Sequence, residues 1–238
     1  MDGQLELVQP QKGQRFSVDA LLLAGFSRLE PGQTALDLGA GNGVAAILVS
    51  WAFPGVSLVA LELQPGLARL AWRNVWRSGL EDRIRVWQGD LRRADLFPAR
   101  SFEAVITNPP YRPLGAGRLS PSQERNLARH ELKCTLADWT QAAARWLKPG
   151  GRLFAVYPVW RLAALLAGLQ EAGLGPKRLR LVYDRPQGQG RLALVEARLG
   201  GGEELSVSPP LFIHAGVWGQ DWSPEMDQLL AGRLLGAI

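Results

Sequence analysis

The fold of this chain is decided by residues 34–49, which read TALDLGAGNGVAAILV. The first five residues predict a short buried strand, the glycine-rich residues 39–43 end it, and the apolar run from Val44 starts a helix. A glycine loop between a strand and a helix lets the backbone approach a ligand and points the helix N-terminus at negative charge. The segment therefore predicts an α/β sheet with a ligand at its carboxyl edge.

The glycine spacing narrows the kind of ligand. The dinucleotide fingerprint needs its third glycine further from the second than Gly43 is from Gly41. Asp37, just upstream, would also repel a pyrophosphate. The pattern suits a ligand that carries both an ammonium and a carboxylate, as the methionine part of S-adenosylmethionine does.

Two further predicted strands are followed by acidic residues. Glu62 ends the strand 56–62, about 20 residues past the glycine loop, where a carboxylate can accept ribose hydroxyls. The strand 83–88 is followed by Asp90 and Leu91, which could contact the amino group and the ring of an adenine. Asp90 could instead cap the next turn, but its place after the third strand favours binding.

The fourth predicted strand, residues 102–107, leads into Asn108, Pro109, Pro110 and Tyr111. Two prolines cannot continue a sheet ladder because neither donates an N–H, so the chain leaves the sheet at Asn108. An amide side chain, a stiff backbone with free carbonyls and an aromatic ring can hold a flat group that bears an NH2. The plain alternative is an ordinary strand exit with a Pro-Pro turn.

The rest of the chain completes an α/β pattern. Helices are predicted from residue 20, from Pro65, and over 135–147 and 161–172; a strand is predicted over 152–157, and an antiparallel hairpin over 178–184 and 191–198. Arg69, Arg73 and Arg77 share one helix face, which most simply is a solvated face.

Two segments outside this pattern bear on the substrate. The loop 112–131 is long, and we expect its arginines to contact substrate phosphates; they are Arg112, Arg118, Arg125 and Arg129. The tail from residue 199 carries Trp218 and Trp222, which could stack on bases but more simply cover exposed sheet.

Composition favours a basic protein with a polyanionic partner. The net charge is +5, and all but four of the basic residues are arginine, although arginine-rich genome usage would give the same balance. Cys134 is the sole cysteine, and no Cys/His cluster has metal-ligand spacing, so we expect neither a disulfide nor a metal. Without a signal peptide or an apolar run of membrane-spanning length, a cytoplasmic location is expected.

The strand-end residues together resemble a known family. The chain resembles the seven-stranded S-adenosylmethionine-dependent methyltransferases that carry Asn-Pro-Pro-Tyr. More closely, it is similar to the bacterial tRNA(Val) adenine N6-methyltransferase family over most of 12–198. The segments that carry this similarity are Arg15–Ala24, Asp37–Gly43, Asn108–Tyr111 and Ala128–Glu131.

The resemblance implies a fold and a set of roles. The fold is a Rossmann-like seven-stranded sheet with helices on both faces and an antiparallel C-terminal hairpin. A single domain over 1–238 would divide into a lead and helix (1–33), a catalytic core (34–198) and an extension (199–238). Cofactor binding would involve Arg15, Asp19, Asp37, Gly39, Gly41, Glu62, Asp90, Leu91 and Asn108, and catalysis Asn108, Pro109, Pro110 and Tyr111.

The implied reaction is methylation of adenine N6 in tRNA. Two other methyl acceptors stay open. A release-factor glutamine amide fits the same pocket, and guanine N2 in ribosomal RNA is a further option, although enzymes of that type tend to have a different residue at the Tyr111 position. The short polar lead argues against the glutamine-methylating type, which usually has a helical N-terminal domain. A non-catalytic RNA-binding subunit is the alternative from another class.

Overall fold

The computed structural model describes residues 18–109, 134–233 and 236–238. Its helices are α1 (Val18–Phe26), α2 (Val44–Ala52), α3 (Pro65–Arg77), α4 (Leu136–Trp146), α5 (Leu162–Glu171) and α6 (Pro224–Leu230), with a 3-10 turn at Val159–Arg161. Its strands are β1 (Thr34–Leu38), β2 (Ser57–Glu62), β3 (Ile84–Gln88), β4 (Phe102–Thr107), β5 (Leu147–Pro158), β6 (Leu174–Tyr183), β7 (Gly190–Leu199), β8 (Ser206–Val207) and β9 (Leu211–Phe212).

The strands form one mixed sheet. Its order is β3-β2-β1-β4-β5-β7-β6-β8, and β9 also pairs with β6. The first five strands are parallel, and β7 is antiparallel to both of its neighbours, β5 and β6. The Rossmann-like parallel sheet and the C-terminal hairpin are thus confirmed. The expected count of seven strands is wrong, because the short strands β8 and β9 extend the sheet to nine.

Two apolar layers cover the sheet, one on each face. Alternating side chains of β1 enter different layers, with Ala35 in one and Leu36 in the other. The first layer contains residues of α1, α2 and α6, and the second contains residues of α4 and α5. Helices on both faces are therefore confirmed. Because both faces of the sheet are covered, a ligand can reach it at the loops that follow the strand ends.

The start of β5 differs from the prediction. The strand was expected over 152–157 after a helix stop at 148–151, but it begins at Leu147. Gly150 has a φ of 75°, and the pairing with β4 shifts register between Phe102 and Ala104. The residues between Leu147 and Arg152 have no partner in β4, so the regular ladder with β4 begins at Arg152, where the strand was predicted to start.

The tail packs on the edge strand β6 and on α1. Strands β8 and β9 pair with β6, and Met226, Leu229 and Ile238 are buried in the layer that contains α1. Trp218 does not cover sheet as predicted, since it is 89% exposed. No helix in the described ranges is long and apolar enough to cross a membrane.

Candidate functional site

The carboxyl ends of β1, β2 and β4 meet at one edge of the sheet. Strand β1 lies between β2 and β4: the chain runs outward from β1 through β2 to β3 and then returns to place β4 on the other side of β1. Open α/β sheets bind ligands at such a topological switch point, in the crevice outside the strand ends. Most of the described residues that the sequence singled out lie at this edge, and each is placed by a local contact.

The glycine loop after β1 presents open backbone. Gly39 and Gly41 have φ angles of 80° and 59°, and a Cβ atom added at either would meet nothing within 4 Å. Gly43 differs, because a Cβ there would lie 3.1 Å from the Cβ of Ala71 in α3. The first two glycines therefore leave space for a ligand, and the third permits close packing of the loop on α3.

Glu62 joins this loop to the end of β2. Its Oε2 accepts a hydrogen bond from the N–H of Gly41 at 2.9 Å, and its Oε1 accepts one from the N–H of Gln64 at 2.8 Å. A buried carboxylate held in this way can accept the hydroxyls of a ribose.

Asp37 lies beneath the loop and is 1% exposed. Its Oδ2 accepts a hydrogen bond from the N–H of Ala46 at 3.2 Å. Burial raises the pKa of Asp37 to about 7; the bond from Ala46 opposes the rise, and the charge of Glu62 adds to it. The site therefore contains two neighbouring buried acids, a setting that favours a cationic group.

Asn108 is positioned by the residue before it. The hydroxyl of Thr107 donates a hydrogen bond to the carbonyl of Leu38 at 2.8 Å, which ties the end of β4 to the end of β1. Asn108 is half-buried and Pro109 is buried. Asn108 directly follows this tied strand end, at the edge of the sheet where the glycine loop also begins.

Asp90 follows β3 at the same edge but has an ion-pair partner. Its carboxylate accepts hydrogen bonds from the Arg92 side chain, at 3.0 Å from Nε to Oδ1, and from the Arg92 backbone N–H, also at 3.0 Å. The hydrogen bonds from Arg92 are the largest cause that lowers the pKa of Asp90. The turn-capping alternative is thus observed, and the adenine contact of Asp90 and Leu91 stays a prediction.

The remaining predicted site residues are placed differently. Asp19 is buried in the first turn of α1, which packs against α2. Seven predicted residues lie outside the described residues, so their roles stay predictions: Arg15, Pro110, Tyr111, Arg112, Arg118, Arg125 and Arg129. Among the described residues, no group of His, Cys, Asp and Glu side chains could hold a metal ion.

The sequence interpretation missed Asn74 in α3. Asn74 is fully buried, and its Nδ2 donates a hydrogen bond to the carbonyl of Asn42 at 2.9 Å, which holds the glycine loop against α3. The detectable signal was an amide on the apolar face that Ala68, Ala71 and Val75 form.

We expect Asn74→Ala to loosen the glycine loop. The substitution leaves the carbonyl of Asn42 without this donor, which should cost about 1–3 kcal/mol of the free energy of unfolding. Thermal melting with and without S-adenosylmethionine measures both effects, and the stabilisation by the ligand should shrink. Ser78→Ala, which removes a hydroxyl bonded to the Asn74 carbonyl further along the helix, is the control; equal ligand stabilisation in both variants would contradict the loop role.

Cys134 does not provide a nucleophile near neutral pH. Burial raises the pKa of its thiol to about 12, and the charge of Asp138 contributes to the rise.

A shallow depression lined by Arg100, Arg145 and Leu199 lies at the opposite edge of the sheet, where the strands β4 and β5 begin. The strand ends around β1 therefore form the candidate site.

Comparisons with known proteins show similarity to methyltransferases. Residues 17–160 match the family described as methyltransferase small domain. The tRNA1(Val) (adenine(37)-N6)-methyltransferase of Actinobacillus pleuropneumoniae serotype 7 (strain AP76) is 31% identical over 161 residues, which are 67% of this chain and 66% of that relative. The enzyme with the same name from Histophilus somni (strain 129Pt) is 28% identical over 77% of this chain and 82% of its own.

A solved structure shows a similar fold. The crystal structure of a predicted O-methyltransferase from Agrobacterium tumefaciens has a TM-score of 0.73 and 25% identity, and the match covers 90% of this chain and 96% of that one.

The chain spans just under two thirds of the length of the Actinobacillus relative. The family match covers more than half of the 238 residues. On these grounds the chain belongs to the methyltransferase small domain family.

Proposed function

We propose that this protein uses S-adenosylmethionine to methylate N6 of an adenine in tRNA. The observation that carries the proposal is the hydrogen bond from Thr107 to Leu38, which ties the end of β4, just before Asn108, to the end of β1, just before the open glycine loop. Relatives named tRNA1(Val) (adenine(37)-N6)-methyltransferase support the choice of tRNA. A single methyltransferase domain (1–33, 34–198 and 199–238) in the cytoplasm belongs to the same proposal.

The described residues fit S-adenosylmethionine. The open backbone at Gly39 and Gly41 leaves space for the methionine part, and the buried acids Asp37 and Glu62 suit its ammonium and its ribose. Asn42 adds a side-chain amide nitrogen that is buried without a hydrogen-bond acceptor. When bound, this cofactor supplies a methyl group on a positively charged sulfur, which is electrophilic without a metal.

The residues at the end of β4 would position the methyl acceptor. The lone pair of the adenine amine is conjugated with the ring, so the amine is a poor nucleophile. Hydrogen bonds from its two N–H groups to the Asn108 side chain and the Pro109 carbonyl would favour a pyramidal nitrogen. Positioning and electrostatics then supply the catalysis, and the extra proton can leave late without a dedicated base.

An RNA loop suits this arrangement better than a duplex. The target base has to leave its stack to reach Asn108 at the sheet edge, and an anticodon loop permits this at lower cost than paired nucleotides do. The net charge of +5 favours the approach of a polyanion.

The test is methylation by the purified protein with labelled S-adenosylmethionine. Mass spectrometry of the nucleosides should show N6-methyladenosine in tRNA taken from a strain that lacks the gene. Ribosomal RNA and a release factor serve as competing acceptors in the same assay. Label in guanosine or in a glutamine side chain, with none in tRNA adenine, would refute the proposal and identify the other acceptor.

Substitutions of Asp90 and Arg92 should change the affinity for the cofactor in different ways, which tests the role of Asp90. If Asp90 accepts the amino group of the cofactor adenine, Asp90→Ala should weaken cofactor binding by about tenfold, the value of one good hydrogen bond to a charged group. Arg92→Ala frees the same carboxylate and should leave binding unchanged or tighter. Calorimetric titration with S-adenosylmethionine measures both variants; equal weakening in both would assign the pair to loop structure alone.

A further inference from the structure

The carboxyl edge of the sheet continues beyond Asn108 with exposed aromatic rings and arginines. Strand β5, the neighbour of β4, leads directly into Trp160 and Arg161. Trp160 is 62% exposed. The guanidinium carbon of Arg161 lies 5.8 Å from the centroid of the Trp160 ring and 5.6 Å from that of Tyr157. An exposed tryptophan and an arginine therefore follow β5, the strand next to the candidate site.

The C-terminal tail delivers a second tryptophan to the same edge. Strand β6 runs in the same direction as β5, because β7 is antiparallel to both. Strand β9 is parallel to β6, so the loop after Phe212 leaves the sheet at the carboxyl edge. Trp218 in this loop has the highest exposure of the large apolar side chains in the described ranges.

The loop that carries Trp218 is held in shape by Arg185. The guanidinium of Arg185 donates hydrogen bonds to the carbonyls of Gly216, Val217 and Gly219, at 3.3, 3.4 and 2.6 Å. Carbonyls on both sides of Trp218 are therefore fixed by one side chain that extends from the end of β6.

The two ends of the loop are also joined. The rings of His214 and Trp222 stack with centroids 5.1 Å apart and an interplanar angle of 14°. The N–H of Ala215 donates a hydrogen bond to the carbonyl of Asp221 at 3.0 Å. Trp218 is therefore exposed on a loop whose shape is already fixed. Binding a partner through Trp218 would cost little additional conformational entropy of the loop.

Charge identifies the partner of this surface. Three arginines lie along the edge: Arg161, Arg185 and Arg191. Two acids accompany them: Asp184, which is within 4.0 Å of Arg185, Arg191 and His214, and Asp221, which is exposed at the end of the Trp218 loop. A surface that combines exposed aromatic faces with cations is typical of binding to unpaired nucleotides, where bases stack and phosphates are neutralised.

We infer that Trp160 with Arg161, and Trp218 on its closed loop, bind the RNA nucleotides that flank the methylated adenine. This inference rests on the proposed function. At the usual strand spacing, β5 is about 5 Å from β4, and β9, four strands from β4, is on the order of 20 Å away. Trp160 would thus stack on a base next to the target, and Trp218 on a base several nucleotides away.

The test compares Trp160→Ala and Trp218→Ala with Trp76→Ala. Trp76 is a matched control because it is 59% exposed, but it lies near the far end of α3, about 16 Å from the helix start at the site edge. Thermal melting and calorimetric cofactor binding should be unchanged in all three. Fluorescence anisotropy with a labelled anticodon stem-loop should show about tenfold weaker binding for each edge variant. The affinity of the control variant for the stem-loop should be unchanged.

Two further variants separate stacking from charge. Trp218→Phe should regain most of the RNA affinity that Trp218→Ala loses, because a ring is retained. Arg161→Gln should lower the slope of log affinity against log salt by roughly one. In turnover assays the loss should raise KM for the RNA and leave kcat unchanged.

Binding is measured without the methyl donor, so the two hypotheses can fail separately. A protein that binds the stem-loop through both tryptophans but methylates no RNA would refute the proposed reaction and support the surface. RNA affinity that is unchanged in both edge variants, or reduced equally by Trp76→Ala, would overturn the inference, and the edge would then be open to a protein partner.

Discussion

Replacing Asn108 with alanine should lower the rate of methyl transfer by about 10²- to 10³-fold. The side-chain amide would accept a hydrogen bond from the target amine, and this bond strengthens as the nitrogen gains positive charge. The carboxyl edge keeps its other contacts in this variant, since Gly41 and Glu62 bind each other without Asn108. The affinity for S-adenosylmethionine should therefore fall far less than the rate.

Single-turnover methylation of tRNA and calorimetric titration with the cofactor separate these two effects. Thr107→Val is the matched second variant, because it removes the hydroxyl bonded to Leu38 and keeps the side-chain shape. It should give an intermediate rate, since Asn108 is retained but loses its alignment with β1. A normal rate for Asn108→Ala would end the proposed role of this residue.

Replacing Asp37 with asparagine should stabilise the cofactor-free protein at pH 8. Burial raises the pKa of Asp37 to about 7, against about 4 in an unfolded chain. Between these values the folded protein keeps a proton that the unfolded chain has lost, so stability falls as pH rises. The full cost, reached above pH 7, is about 4 kcal/mol. Asparagine keeps a carbonyl that accepts the N–H of Ala46 and removes the charge.

Melting curves at several pH values measure this effect. Asp37→Asn should raise Tm by as much as about 10 °C at pH 8, and the gain should shrink as pH falls below 7 and vanish near pH 4. Asp82→Asn, at an exposed acid, is the control. A Tm for Asp37→Asn that is lower than wild type at pH 8, or a gain that does not depend on pH, would contradict the assignment. The same variant should bind S-adenosylmethionine more weakly at pH 8, because the site loses one of its two buried acids.

The parallel half of the fold could be predicted because its local signals agree. Each of β1 to β4 has an apolar centre, and glycine, an acid or proline stands at its end or within the next three residues. The helices α2 and α3 begin after a glycine loop and at Pro65. Because parallel strands end at a common edge, the strand pattern alone assigns Gly41, Glu62 and Asn108 to one edge of the sheet.

The missed features depend on tertiary contacts. Strands β8 and β9 have two residues each, too few for an alternating pattern, and pairing with β6 creates them. The ion pair of Asp90 and Arg92 forms within an irregular loop, where spacing rules do not apply. The exposure of Trp218 follows from the carbonyls that Arg185 binds, which no pattern along the chain indicates.

The central position of β7 between β5 and β6 limits how this protein can be shortened. A fragment cut at residue 160, where the family match ends, would lose β7, one of the two strands that pair with β5. The hydrogen-bonding groups of β5 that face β7 would be unpaired beside Ala155, Val156 and other buried side chains, and such an uncovered apolar edge is a template for aggregation. Soluble expression therefore requires the hairpin, even though the residues proposed to bind the cofactor all precede it.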